Sequence, residues 1–314
     1  MKKKFILTVT LNPAVDKTVT VTNFTLGQKH LQEQQVFSAG GKGLNVARVL
    51  KSYRTPTVST GFLGGVTGDR MKILLKRERL MHDFVDIKNA TRVNLTVTDL
   101  LKGKETRILE KGPRIFKKEI KSLKKKYCFW LSQCAGVVLS GRNAYQAPRT
   151  LYAELIHLAH VYNVPVFLDT HSAPLKEALP AAPTLIAPNR NEAEEAFGYA
   201  LKSKSDYKQA FRAWHSLGIK YILISRGKEG LIGSYSGQDY WAKVPNLKHI
   251  INEVGCGDSL LGAFVYYYLK GMEFKQSLAF AAATGSANCY SLTPGLIDRE
   301  KVASILKKIS INKL

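Results

Sequence analysis

The sequence predicts an α/β fold, a parallel sheet covered by helices on both faces, with a small β-sheet lid. Three observations lead there. β-like and helix-like runs alternate along nearly all of the 314 residues, at a spacing that suits strand–helix–strand crossovers. Several strand candidates are continuous apolar runs, as a sheet buried on both sides requires. Residues 18–37 and 92–109 instead alternate polar with apolar residues, Val93-Asn94-Leu95-Thr96-Val97-Thr98 most clearly. That pattern marks antiparallel strands with one wet face, lying outside the main body. No repeat, low-complexity tract or proline-rich linker divides the chain. It therefore reads as a single domain, 1–314, with lid segments near 12–37 and 90–112.

The first strand, 5–10, runs into Thr10-Leu11-Asn12-Pro13-Ala14-Val15-Asp16. Parallel sheets bind ligands beyond the carboxyl ends of their strands, so Asp16 stands where it can accept hydrogen bonds from sugar hydroxyls. Alone, such an aspartate is more often a turn residue. After the lid segment comes Gly40-Gly41-Lys42-Gly43-Leu44-Asn45, where a helix over 43–51 begins. Glycines this dense let the backbone lie flush against a ligand. The spacing is neither a Walker A loop nor a dinucleotide fingerprint. Asn45 carries both a donor and an acceptor, which suits sugar hydroxyls. Strand 57–62 passes through Gly61-Phe62-Leu63-Gly64-Gly65 toward helix 69–79, and these glycines shape the backbone beside the first two turns. Arg92 opens a lid strand and can grip a phosphate with two parallel hydrogen bonds, although it also suits a plain surface position.

Residues 102–126 hold eleven Lys/Arg against three Glu. Phe116, Ile120, Leu123 and Tyr127 recur there at helical spacing, so the lysines between them form a solvated helix face without interleaved aromatics for base stacking. Strand 136–139, helix 149–161 and strands 165–169 and 184–187 follow. The last leads into Ala187-Pro188-Asn189-Arg190-Asn191-Glu192 and helix 191–197. Asn189 and Glu192 suit a hydrated Mg²⁺, which keeps most of its waters. The same pair at the same spacing also makes a capping box. Helix 205–217 and strand 221–225 precede Ser225-Arg226-Gly227-Lys228-Glu229-Gly230. The amides of that turn can meet nucleotide phosphates or simply reverse the chain into 231–235.

A β-like run, 249–254, then enters Gly255-Cys256-Gly257-Asp258, followed by helices over 258–269 and 274–286. Two glycines allow a sharp bend, and the following helix turns its free N–H groups and positive dipole end toward the turn. Such a place attracts phosphate. Asp258 has the wrong charge for anion binding, but the right chemistry to take a proton from a hydroxyl as a phosphoryl group arrives. By itself a Gly-x-Gly-Asp turn is more often an ordinary helix N-cap.

Bulk properties bound the answer. The formal net charge is +23, and no helix-turn-helix, zinc-finger or RNA-binding signature accompanies it. A basic surface that suits anionic small substrates fits better than a nucleic-acid partner. Met1-Lys2-Lys3-Lys4 followed by an apolar run superficially resembles a signal peptide, but the run is too short and lacks a cleavage site. No stretch approaches the roughly 20 apolar residues of a membrane span. A cytoplasmic protein is expected. Cys128, Cys134, Cys256 and Cys289 show no metal spacing and read as reduced thiols.

Together the motifs at 9–16, 40–50, 61–65, 91–94, Pro188-Asn189-x-x-Glu192 and 255–259 stand in one order over nearly the whole chain. In that order they resemble the ribokinase/PfkB carbohydrate kinases, in the branch of 1-phosphofructokinases and tagatose-6-phosphate kinases. The resemblance implies a ribokinase-like three-layer α/β/α sandwich, with ATP as donor and Mg²⁺ as cofactor. It implies Asp258 as the base and the amides of Gly255, Cys256 and Gly257 as the anion hole. Asp16, Gly40, Gly41 and Asn45 would hold the sugar, and Lys42 and Arg92 its existing phosphate. Ser225, Gly227, Gly230 and Asn288 would line the nucleotide site, and Asn189 and Glu192 would hold magnesium through water. Lids in this family pair across dimers in some members, and 18–37 has the composition for a homodimer.

Departures are visible too. Ala187 replaces a family lysine, with Arg190 or Arg226 as substitutes, and 140–144 reads Ser-Gly-Arg-Asn-Ala. The expected function is phosphorylation of a ketohexose monophosphate, a small-molecule sugar phosphate. Fructose 1-phosphate is the first choice, and tagatose 6-phosphate or fructose 6-phosphate the alternative. The non-enzymatic rival is a sugar-phosphate-binding regulator.

Overall fold

The computed structural model describes residues 5–314; the basic residues 1–4 weighed above as a leader lie outside them. In chain order the first half comprises β1 (Ile6–Thr10), β2 (Ala14–Val21), β3 (Gln34–Gly40), α1 (Lys42–Ser52), β4 (Thr57–Gly64), α2 (Gly65–Arg77), β5 (Val85–Ile87), β6 (Arg92–Asp99), β7 (Lys104–Leu109), α3 (Lys117–Leu131) and β8 (Gly136–Ser140). The second half comprises α4 (Leu151–Val161), β9 (Val166–Asp169), α5 (Ser172–Ala178), β10 (Leu185–Ile186), α6 (Arg190–Phe197), α7 (Lys204–Ser216), β11 (Tyr221–Ser225), β12 (Leu231–Tyr235), β13 (Gln238–Lys243), α8 (Cys256–Leu269), α9 (Phe274–Asn288), α10 (Arg299–Leu306) and β14 (Ser310–Lys313).

The main sheet has the order β14-β13-β12-β11-β10-β9-β8-β1-β4-β5. From β5 to β11 every pairing is parallel, and β12, β13 and β14 extend one edge antiparallel. The apolar runs explain the layers. Leu7, Val9, Val137, Leu139, Val166, Leu168, Ile222 and Ile224 pack on one face, with residues of α3, α4 and α7. Their neighbours Ile6, Val138, Phe167 and Leu223 point the other way, onto Val46, Leu50, Leu261, Phe264 and Leu278 of α1, α8 and α9. Side chains alternate across a strand, so both faces of these strands must be apolar. The chain leaves β1 toward β4 and β5, then returns past β1 to build β8 through β11. That reversal opens a crevice at the carboxyl ends of the strands.

The lid is a separate four-stranded sheet, β3-β2-β6-β7. Its middle pair corrects an expectation: β2 and β6 run parallel, from Ala14 beside Arg92 to Val21 beside Asp99. Alternation sets which face is wet and says nothing about direction. β2 follows β1 and β6 follows β5, and both leave the same end of a parallel sheet, so they emerge side by side. The run 249–254 is a second correction. It forms no strand, and Ile250, Ile251 and Val254 are exposed. The Ile251 and Asn252 N–H groups donate to the Cys289 carbonyl at the end of α9, not to a neighbouring strand. In α3, Ile120, Leu123, Tyr127 and Leu131 are buried, while Lys117, Lys118, Lys121 and Lys125 face solvent.

Candidate active site

A cleft of about 490 Å³ lies at the carboxyl ends of β1, β8, β9 and β11, under the lid. It adjoins a cavity of about 530 Å³ lined by Ser225, Gly227, Lys228 and Gly230, and the two share Ser225, Glu253, Cys256 and Gly257. The α8 turn therefore sits between two spaces of ligand size.

Gly255 caps α8 in a left-handed conformation, φ 85°, which glycine reaches without strain. Cys256, Gly257 and Asp258 form the first helical turn, whose amides lack intrahelical partners. The Asp258 side chain is buried and accepts a 2.7 Å hydrogen bond from the Asn45 amide. Burial pushes its carboxyl up to about 7; Lys42 opposes this, the neighbouring Asp169 carboxylate adds to it, and the Asn45 bond opposes it. Lys42 reaches from α1 to ion-pair with Asp169 at 3.0 Å. Burial works against its charge, but Asp169, Asp258 and Glu192 outweigh that and raise its pKa.

Asn45 is itself held. Its carbonyl oxygen accepts from Arg48 Nη1 at 2.7 Å. The Arg48 guanidinium is buried and forks onto Glu78 at 2.6 and 2.9 Å. The order Glu78–Arg48–Asn45–Asp258 fixes the rotamer of the candidate base from behind. Glu78→Ala leaves a buried guanidinium without its carboxylate and should cost about 2 kcal/mol of stability, the range of hydrogen bonds to charged groups. Urea unfolding checks this, and an unchanged midpoint would contradict the network.

The lid side of the cleft is rich in acceptors. Asp16 accepts from the Asn94 amide at 2.8 Å, and burial raises its pKa against the opposing pull of Asn94 and of Arg92. Thr10 Oγ1, Asn12 Oδ1 and Asn94 Oδ1 are buried with no hydrogen-bond partner. All three residues line the cleft. Thr10 Oγ1 packs against Gly43 and Asn12 Oδ1 against Gly112, so these atoms brace the cleft wall from within and do not face its open space. Gly40 does not line the cleft; it makes room for Asp16, whose Oδ2 would lie 2.0 Å from any added Cβ. Arg92 donates to the backbone carbonyls of Asn12, at 2.9 and 3.2 Å, and Glu110, at 3.0 Å. Arg92 and Arg142 both line the cleft.

Other positions fall less simply. Asn189 and Glu192 form a capping box at the start of α6, each side chain accepting from the other's backbone N–H at 3.0 and 2.9 Å. Both also line the cleft. Among the described residues no group of three or more His, Cys, Asp or Glu makes a metal cage. Asn189 and Glu192 offer only oxygen donors at the cleft, which suits a hard cation held largely by water and phosphate. Asn288 is not brought to the cavity wall. It is fully buried, donating to the Val254 carbonyl at 2.7 Å and accepting from Ser259 Oγ and Gly295 N–H. It pins the α8 turn to α9. Neither arginine substitutes for the missing lysine at Ala187: Arg190 pairs with Glu194, and Arg226 pairs with Glu229 against the Trp241 ring. Lys228 is the cation that lines the neighbouring cavity. Sequence reasoning passed over Asp169, although it ends a predicted strand, where ligand-binding residues gather.

The arrangement has relatives. The model of the pfkB family of carbohydrate kinases matches residues 9–296. A 1-phosphofructokinase of Bacillus subtilis is 31% identical over 309 residues, 98% of this chain and all of that protein. A tagatose-6-phosphate kinase of Staphylococcus epidermidis is also 31% identical, over 98% of this chain and 99% of its own. Among solved structures, phosphofructokinase-2 of Escherichia coli superposes with a TM-score of 0.91 at 25% identity, covering 97% of this chain and 98% of that one. With the ribokinase-like sandwich, the lid and the buried aspartate behind a glycine turn already in place, the chain is a member of the pfkB family of carbohydrate kinases, phosphotransferases that act on a hydroxyl group.

Proposed function

We propose that the protein transfers the terminal phosphoryl group of ATP to a free hydroxyl of a ketohexose monophosphate, fructose 1-phosphate before tagatose 6-phosphate. The observation that carries this is the buried Asp258 carboxyl in the first turn of α8, in the same cleft as Asp16, Lys42, Asn45 and Arg92. Asp16 would accept from sugar hydroxyls. Arg92, Arg142 and Lys42 would meet the phosphate the sugar already carries. The amides of Gly255, Cys256 and Gly257 would hold the group in flight. The cavity of Ser225, Gly227, Lys228 and Gly230 would take the nucleotide, with the turn between the two ligands. Glu192 and Asn189 would hold Mg²⁺ through water, and the ion would neutralise charge on the phosphates. Lid closure would exclude water and so protect ATP from hydrolysis. The same reading has two chains meet through the lid, where Val36, Ile108 and Leu109 are exposed. It also places the protein in the cytoplasm, where its ATP and sugar phosphate are found.

Release of ADP with fructose 1-phosphate, fructose 6-phosphate, tagatose 6-phosphate and the unphosphorylated sugars tests the proposal. Turnover confined to the monophosphates is expected; silence with all of them would overturn it. The pH profile adds a check. Asp258 can accept a proton only when ionised, and burial raises its carboxyl to about 7. Below that value the protonated form dominates, so kcat/KM for the sugar should fall tenfold per unit as the pH drops, and level off above. A flat profile across roughly pH 5 to 9 would contradict the role of Asp258.

A further inference from the structure

Cys256 and Cys289 face each other with their sulfurs 3.3 Å apart. Cys256 is the first residue of α8, and Cys289 follows the last residue of α9. Both line the cavity on the nucleotide side of the turn. The junction is tightly built. The Cys289 carbonyl holds the Ile251 and Asn252 amides, and the Asn288 side chain donates to Val254 O and approaches Cys256 Sγ at 3.5 Å. One sulfur thus belongs to a residue whose amide is part of the proposed anion hole, and the other to the helix end that braces it.

We propose that Cys256 and Cys289 form an oxidation site that takes a hydroperoxide and closes to a disulfide, disabling the anion hole. The pair is already near the separation from which a bond can form, needing roughly 1 Å of approach. Either sulfur can donate to the other, so one shared proton supports the other sulfur as a thiolate. That thiolate attacks the peroxide, breaking the O–O bond and giving a cysteine sulfenic acid and an alkoxide or hydroxide that picks up a proton. The partner thiol then displaces hydroxide from that sulfur, the S–S bond forms, and water leaves. The net change is two thiols and one peroxide giving one disulfide, one water and one alcohol or a second water. A thiol reductant reverses it by exchange.

The consequence rests on the proposed function. Drawing the Cys256 side chain toward α9 moves the peptide unit whose amide sits between Gly255 and Gly257. Displacements of about 1 Å in a reacting site cost up to about 10²-fold in rate. Inorganic peroxide should therefore lower turnover by about tenfold or more, with full recovery in dithiothreitol. Peptide mapping without reduction should show Cys256 linked to Cys289. Cys289→Ala, compared with its own untreated activity, should hold that activity through the same exposure and show no link. Absence of the linked peptide overturns the proposal, as does a linked protein that turns over at the reduced rate. Mapping needs no turnover, so it still decides the site should the sugar-phosphate panel stay silent. That silence would then count against the proposed function alone.

Discussion

Asp258→Asn should lose about 10²–10⁴-fold in kcat, the usual contribution of a positioned base, with little change in ATP affinity. The amide keeps the shape of the carboxyl and can still accept from Asn45, which donates to Asp258 at 2.7 Å. It cannot take a proton from the acceptor hydroxyl. Stability separates this from a folding defect. Burial already disfavours the ionised carboxylate at this site, so a neutral isostere should melt no lower than the wild-type protein. Near-normal kcat in D258N would remove Asp258 from the mechanism. Low kcat together with a large fall in melting temperature would mean that the residue matters for packing instead.

Gly255→Ala is the second large effect. The residue sits at φ 85°, and an added Cβ would lie 2.7 Å from the Pro294 Cβ and 3.2 Å from its Cα. The left-handed conformation alone costs alanine roughly 1 kcal/mol. The clash is with a ring on the backbone and cannot be relieved by a rotamer change, so the turn itself must shift. A shift on the order of 1 Å in the amides of Gly255, Cys256 and Gly257 should lower kcat by about 10²-fold. Sugar binding should suffer far less, because Asp16, Lys42, Asn45 and Arg92 belong to other elements. Steady-state kinetics with both substrates varied will show the split. Equal losses in sugar KM and kcat would mean that the whole cleft had moved.

Much of the fold was legible because its driving force is periodic burial. Apolar runs such as 6–10 and 136–140 can satisfy their side chains only in a sheet covered on both faces, and they stand there. Gly41 and the glycine turn at 255–257 also lie at the cleft, since backbone freedom is written in the residue type. The misses share a different cause. The run 249–254 has strand composition, but whether it pairs depends on a neighbour, and the Cys289 carbonyl takes its amides instead. The direction of β2 against β6 depends on where two distant strands leave the body. The brace Glu78–Arg48–Asn45 joins residues up to 33 apart through charge, which no local pattern displays. Asp169 was readable by its place at a strand end, but its weight comes from pairing with Lys42, 127 residues away.

Phosphorus NMR of the purified protein with Mg-ATP and fructose 1-phosphate tests the central claim most directly. In-line transfer to the sugar predicts a new phosphate ester signal that grows in step with ADP, with no inorganic phosphate beyond the protein-free control. ADP appearing with inorganic phosphate, and no new ester with any ketohexose monophosphate, would contradict the account.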